Sequence, residues 1–598
     1  MSGHHPAPPS PATTGLGDFT TRPRALLVVA WALPVGAAGA VASWFLLRLI
    51  GLIGNLVFRQ RLGTELVDPG RVHPAWWLVL GAPVLGGLAV GLLARHGSEK
   101  IRGHGMPEAI EAILTRGGVV APRLALLKPL SAAISIGTGG PFGAEGPVIM
   151  TGGAIGSLFG QSLRLTAAER RTLLVAGSAA GMAATFDAPM ASVLLAVELL
   201  LFEWRPRSLV PVVASVAVAT ALRVPLLGGG PVFPVDAAAV HLTPLVELLA
   251  VLCGLTGGAL AVVTTWMVYR AEDAFARLPF HWMWWPALGG LVIGCGGLVE
   301  PRALGVGYDV VQQLLAGRAT VSLIVGVLVV KSLIWALSLG SGTSGGVLAP
   351  VLMIGGALGA WEGMLFPSVV PGFWAMLGLA AVVGGVLRSP LTGVVFTLEL
   401  THAWDTGPAL LISATSAYAL SVLVLKRSLL TEKIARRGLH LTREYATDPL
   451  EAFFVREAMD AAPSTVGADD PLDGALAAAC AERLRSPDRP QRLIPVLRPD
   501  GGLLGIITRR SLRAARAGGG TLTAADAARP CRLTVRGDDT LRRVACLFAE
   551  HALTSAPVVD PATGRPIGVI ALRDLLHARR HQLVQEGHRE RVIRPAGR

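Results

Sequence analysis

Gly143-Ala-Glu-Gly-Pro147 lies inside an otherwise apolar chain, and its reading decides the fold. Glycine and proline break helices. A broken helix at membrane depth is tolerated only where it lines a cavity or is packed in protein. Two further stretches have the same character, Gly103-His-Gly-Met-Pro107 and Gly345-Gly-Val-Leu-Ala-Pro350. Broken helices whose N-termini converge at mid-membrane bind anions, because free N–H groups and the helix dipole both favour negative charge. Glu145 adds a carboxylate to the first stretch. The three stretches together predict an anion pathway with a titratable gate.

Composition supports a membrane reading. Hydrophobic residues make up 52% of the chain, only 16% of residues are charged, and the mean hydropathy is +0.56. That is too little charge to cover a soluble protein of 598 residues. The 72 glycines fit closely packed transmembrane helices. A net charge of +13 raises the question of nucleic acid. The arginines sit mainly in short connections and in the C-terminal third, so positive-inside bias accounts for them and no nucleic-acid partner is expected. The five cysteines show no CxxC spacing, which predicts neither a metal site nor a disulfide framework. Residues 1–24 are polar, lack the layout of a signal peptide, and are expected to form a disordered cytoplasmic tail.

Apolar runs fill residues 25–425, some long enough to span a bilayer and others cut short. An internal repeat organises them. Ala188-Pro-Met-Ala-Ser-Val-Leu-Leu-Ala-Val-Glu-Leu199 matches Ser389-Pro-Leu-Thr-Gly-Val-Val-Phe-Thr-Leu-Glu-Leu400 at an offset of 201. Gly103-His-Gly-Met106 matches Gly305-Val-Gly-Tyr308 at 202, and Pro147 matches Pro350 at 203. The expected halves are roughly 25–225 and 243–438. After Gly438 the chain reads as soluble. Leu493-Ile-Pro-Val-Leu followed by Gly505-Ile-Ile-Thr-Arg-Arg-Ser-Leu512 parallels Ser555-Ala-Pro-Val-Val followed by Gly568-Val-Ile-Ala-Leu-Arg-Asp-Leu575. Each reads as strand, turn, strand and helix, with an Ala/Gly-rich linker at 514–526.

On these motifs residues 25–438 resemble the CLC family of chloride channels and chloride/proton antiporters. Residues 450–517 and 527–585 resemble a tandem pair of CBS domains, with a basic tail at 586–598. The resemblance implies an all-α polytopic membrane domain of two inverted-topology repeats with broken helices, plus a C-terminal cytoplasmic α/β tandem CBS module. It implies a homodimer in the cell membrane, multi-pass, with both termini cytoplasmic. It implies anion transport rather than enzyme catalysis, with chloride as the transported ligand and no required cofactor.

The resemblance also assigns residues. Glu145 stands at the gating glutamate; its plain alternative is a cap on the helix that starts near Pro147. Ala144 and Gly146 flank the gate. Val347 and Leu348 fall where backbone amides meet the central anion. His104, with Gly105 and Met106, replaces an anion-coordinating serine, and an imidazole there could make transport pH-sensitive. Leu430 replaces a tyrosine donor in Ser428-Leu-Leu-Thr-Glu-Lys-Ile-Ala-Arg-Arg-Gly438. Leu199 occupies the place where antiporters carry a second, proton-relaying glutamate; Glu203 lies one turn on and is the substitute if a relay exists. Leu199 and Leu430 favour a passive channel. The alternative is a Cl−/H+ antiporter or a fluoride-type exporter, since fluoride-selective relatives also alter the serine position. In the CBS pair, Thr508 and Asp574 are the candidate contacts to an adenine nucleotide. A different class, an intramembrane serine protease, would use Ser344 and His402, but it leaves the repeat and the CBS pair unexplained.

Overall fold

The computed structural model describes residues 23–201, 203–235, 240, 242–439, 449–451, 453–472, 474–484, 491–517 and 522–587. Apart from residues 23–24 and 586–587, the expected N-terminal and basic C-terminal tails lie outside them. The chain divides into two compact units, Phe19–Arg443 and one containing Glu444–Arg598.

Among the described residues of the first unit, seven helices are long and apolar enough to cross a membrane: Arg24–Arg59, Trp76–His96, Pro206–Leu227, Pro244–Ala276, Trp282–Val299, Val321–Gly340 and Trp404–Arg436. They expose large apolar side chains such as Leu26, Leu85, Leu248 and Leu423. Such a surface is costly in water and suits lipid. Shorter apolar helices lie between them. In Phe373–Leu387 all fifteen residues are buried, so this helix is surrounded by protein.

Both halves of the repeat contain the same set of short elements. Let α1 be Arg24–Gly54, α2 Met106–Thr115, α3 Pro122–Gly137, α4 Glu145–Ser162, α5 Ala167–Phe186 and α6 Pro189–Leu195. In the second half α7 is Tyr308–Leu315, α8 Leu348–Glu362, α9 Phe373–Leu387 and α10 Pro390–Thr401; α11, Leu429–Arg436, closes the unit. The crossing of α4 on α5 is repeated by α8 on α9. A Cβ on Gly152 would come 2.2 Å from the Gly177 carbonyl, and one on Gly355 would come 2.6 Å from that of Gly378. Only glycine allows these backbones to approach so closely.

The repeat relates opposite faces of the unit. Glu169 pairs with Arg24 at the start of α1, and the adjacent Arg170 donates to the Gly117 carbonyl just past α2. At the other end of α1, Arg71 pairs with Asp309 on α7. The 31 residues of α1 span about 46 Å at 1.5 Å per residue. The paired elements α2 and α7 therefore meet opposite ends of α1, the arrangement of an inverted repeat.

The second unit holds two three-stranded sheets. In the first, β1 (Val466–Gly467) pairs parallel with β2 (Leu493–Leu497), which pairs antiparallel with β3 (Leu503–Thr508). In the second, β4 (Val535–Arg536), β5 (Ser555–Val559) and β6 (Pro566–Ala571) repeat that order. At the edges of the modules the packing crosses over. Val455 is fully buried in the core of the second sheet, and Asp460 forms a bridge with Val569 of β6. Ala524 and Ala527 belong instead to the core of the first sheet, and Ile506 of β3 bridges Arg529. The end of the expected linker is thus a structural helix, Ala524–Ala527, and each module is completed by a segment that precedes the other. Apolar periodicity marks such a segment as buried without showing which sheet it covers.

Candidate anion pathway

The site grows from the pairing of two broken stretches. Gly143 and Gly346 form an antiparallel bridge, with Gly346 N–H donating to the Gly143 carbonyl at 2.8 Å and Gly143 N–H to the Gly346 carbonyl at 3.4 Å. This bridge sets the starts of α4 and α8 side by side. The first N–H groups of a helix have no intrahelical acceptor, so both N-termini offer donors to the same region. Ala144 and Val347 cap the two helices and are fully buried, as are Glu145 and, at 1% exposure, Leu348.

The Glu145 carboxylate occupies the space between them. A Cβ on Gly143 would lie 1.8 Å from its Oε2, and one on Gly346 would lie 2.6 Å away. The two glycines therefore form the seat of the carboxylate. Neither carboxylate oxygen makes a hydrogen bond of ordinary geometry; the backbone N–H groups of Glu145 and Ala349 are the donors nearest to doing so. A carboxylate used only as a helix cap would be hydrogen-bonded. Glu145 is instead buried and loosely held at an anion-attracting position.

The 103–106 loop packs on the same helix. Gly105 has φ +86°, and a Cβ on Gly146 would come 2.1 Å from the His104 carbonyl. His104 and Met106 are buried, and His104 Nδ1 has no hydrogen-bond partner among the described residues. Three cations, Lys128, Lys433 and Arg437, face His104. Lys128 itself is fully buried and donates to the Ile101 carbonyl at 2.8 Å, the Gly103 carbonyl at 2.6 Å and Ser344 Oγ at 3.0 Å. Its repeat mate Lys331 donates to the carbonyls of Ala303 and Gly305, each at 2.8 Å. One ammonium thus pins each Gly-x-Gly loop. The sequence reading missed this pair, although the offset of 203 between two lysines in apolar runs was visible.

Leu199 and Leu430 are buried in the apolar core, so neither presents a polar group. Glu203 is tied to Arg205 and Arg207 at 3.4 and 3.3 Å and accepts a bond from Ser208. Glu198 and Glu399 have reciprocal tasks. Glu399 accepts from Met190 N–H at 2.9 Å and Ala191 N–H at 2.8 Å, the first free donors of α6 after Pro189. Glu198 accepts from Thr392 N–H at 3.0 Å and from the Thr392 hydroxyl, at the start of α10. Each half caps a helix of the other. Ser344 is fully buried between Lys128 and Ser131, whereas His402 is exposed at the end of α10, so the two do not form a nucleophile–base pair.

Residues 86–422 match the profile of the voltage gated chloride channel family, and residues 525–581 match that of the CBS domain. The chain belongs to the CLC family. Among similar proteins, the voltage-gated ClC-type chloride channel ClcB of Salmonella typhimurium is 32% identical over 58% of this chain and 84% of its own length. The H(+)/Cl(−) exchange transporter ClcA of Salmonella paratyphi A is 29% identical over 65% of this chain and 86% of its own. A slow cyanobacterial Cl−/H+ antiporter superposes with a TM-score of 0.61 at 23% identity, covering 70% of this chain and 99% of that one. The likeness to that structure establishes a CLC fold. Chloride transport by a membrane protein of this family follows, and the relatives carry both modes, channel and exchanger, in their names.

In the CBS unit the two nucleotide candidates cap helices. Ser511 Oγ accepts from Thr508 N–H at 2.9 Å while Thr508 Oγ1 accepts from Ser511 N–H at 3.2 Å, closing the start of Arg509–Ala517. Asp574 accepts from Ala571 N–H at 2.8 Å at the start of Leu572–Gly587 and pairs with Arg573 at 3.3 Å.

Proposed function

We propose that this CLC protein is a passive chloride channel gated by the side chain of Glu145. The observation that carries the reading is the seat of that carboxylate, buried between two glycines at paired helix N-termini and held by no well-formed hydrogen bond. A carboxylate held so loosely can be displaced by a competing anion or by its own protonation. Passive conduction is favoured by Leu199, a buried apolar side chain where a relay would need a carboxylate, and by Glu203, which is engaged by two arginines. Burial, and then the cations Lys433, Lys128 and Arg437, oppose a positive charge at His104. His104 therefore works as a neutral donor, and pH acts through Glu145.

The second reading is proton-coupled exchange, supported by the names of relatives such as the Salmonella paratyphi A exchanger. Flux from proteoliposomes, with chloride and pH recorded together, separates the two. An imposed chloride gradient that drives no uphill proton movement fits the channel; coupled proton movement of fixed stoichiometry overturns it. Replacing chloride by fluoride in the same vesicles tests the exporter variant. E145Q should remove the pH dependence of flux in either mode.

The protein is further read as a homodimer in the cell (inner) membrane with cytoplasmic termini, and the CBS pair as a regulatory module that binds an adenine nucleotide beside Asp574. The motif Leu572-Arg-Asp-Leu575 supports the nucleotide reading. Titration of the C-terminal unit with ATP, ADP and AMP tests it, and absence of heat with all three refutes it.

A further inference from the structure

Deep in the membrane unit, the phenol oxygen of Tyr308 has no hydrogen-bond partner among the described residues, and the two carboxylate oxygens of Glu145 make no bond of ordinary geometry. Tyr308 and Glu145 interact electrostatically. Tyr308 opens α7 and is the repeat mate of Met106, so the second half carries a hydroxyl where the first carries a thioether. Its ring is held edge-on by Phe186 and Phe233, with ring centres 6.2 and 5.8 Å away, and Phe186 is held in turn by Phe396 at 5.1 Å. The backbone before it is fixed as well. Gly307 has φ +80°, and a Cβ there would come 2.6 Å from Met353 Sδ of α8, the helix whose start forms half of the Glu145 seat. Ring and backbone are thus rigid, and the oxygen is the part left without a task.

Buried tyrosine hydroxyls find partners, and each unpaired one needs an explanation. Phenylalanine would fill the same aromatic cluster without burying an orphan oxygen. A phenol donates strongly to an anionic acceptor. We propose that the Tyr308 hydroxyl is a hydrogen-bond donor on the anion path, serving a monovalent anionic acceptor that comes and goes. Two acceptors share that chemistry: the transported halide and the displaced carboxylate of Glu145. The inference rests on Glu145 lying in the path, and it adds a side-chain donor from the second half of the repeat.

The test is Y308F, measured by chloride titration calorimetry on the purified full-length protein with Glu145 present and in an E145A background. Thermal stability is measured in parallel; removing an orphan oxygen should leave it unchanged or raise it. If the hydroxyl serves the halide, Y308F weakens chloride binding about tenfold in both backgrounds, the size of one charge-assisted hydrogen bond. If it serves the displaced carboxylate, Y308F weakens chloride binding only where Glu145 is present, because the carboxylate loses its alternative partner and returns to the seat that chloride must occupy. Unchanged chloride binding in both backgrounds, or a loss of stability accompanying any change, overturns the proposal. Failure of the gate reading shows separately, as E145A flux that matches wild type at every pH.

Discussion

Replacing Glu399 perturbs the cross-repeat caps directly. Glu399 is 5% exposed and takes both free N–H groups at the start of α6, at 2.9 and 2.8 Å. Hydrogen bonds to a charged acceptor contribute about 1.5–3 kcal/mol each. Glutamine keeps one acceptor oxygen and turns an NH2 group towards the helix start. E399Q thus loses one such bond and a charge–dipole attraction of about 0.3–1 kcal/mol, giving about 2–4 kcal/mol of destabilisation. E399A orphans both donors and costs about 2–6 kcal/mol. E198A should behave alike at the start of α10. E203A provides the control: its ion pairs with Arg205 and Arg207 are partly solvated and contribute less than about 1 kcal/mol. Tryptophan-fluorescence unfolding in detergent reads all four. If E399A unfolds no more readily than E203A, the reciprocal caps do not stabilise the fold and the reasoning is wrong.

The atoms nearest to a methyl group on Gly143 are those of the Glu145 carboxylate, so G143A should unseat that side chain. Chloride flux should rise towards that of E145A, and the G143A/E145A double variant should match E145A alone. Asp68 lies between the membrane-spanning helices Arg24–Arg59 and Trp76–His96. Burial, followed by the neighbouring Asp309 carboxyl, pushes its own carboxyl up to about 7, against the lesser opposing pull of the Gly70 N–H and Arg71. The folded state then binds the proton more tightly than the unfolded chain, so stability falls as pH rises from about 4 to about 7. D68N, which keeps an acceptor for Gly70, should flatten that slope in denaturation series run across this pH range. In the second unit D574A and S511A each remove a helix cap and should cost about 1 kcal/mol, seen as a lower unfolding midpoint with unchanged secondary structure.

The three Gly/Pro stretches announce broken helices from sequence because helix-breaking chemistry is local. The repeat is legible too, since Pro189 and Pro390 head matching elements. The work of Glu198 and Glu399 is not: each caps a helix about 200 positions away, and an apolar context around a glutamate does not name its donor. Gly143 is visible as a breaker, but its role as the seat of a carboxylate needs the approach of Gly346. Tyr308 passes unnoticed because nothing local distinguishes a core aromatic from one whose hydroxyl lacks a partner. The exchange of segments between the two sheets is hidden for the same reason: the stretches around Val455 and Ala524 bear ordinary amphipathic signals, and partner choice is settled only by long-range packing.

The exchanged segments of the second unit set the order of events during synthesis. Asp460 and its bridge partner Val569 stand 109 positions apart, so the piece that completes the second sheet leaves the ribosome long before that sheet exists. The first sheet, in turn, waits for residues 524–529. Neither module is whole until nearly the entire unit has been made, and no cut between them yields an intact half. A frameshift or truncation after residue 517 would strip the first module of its closing helix and leave the 453–460 segment with nothing to cover. The pair therefore assembles, persists and fails as a single cooperative body, and a disturbance at one sheet reaches the other through covalent chain.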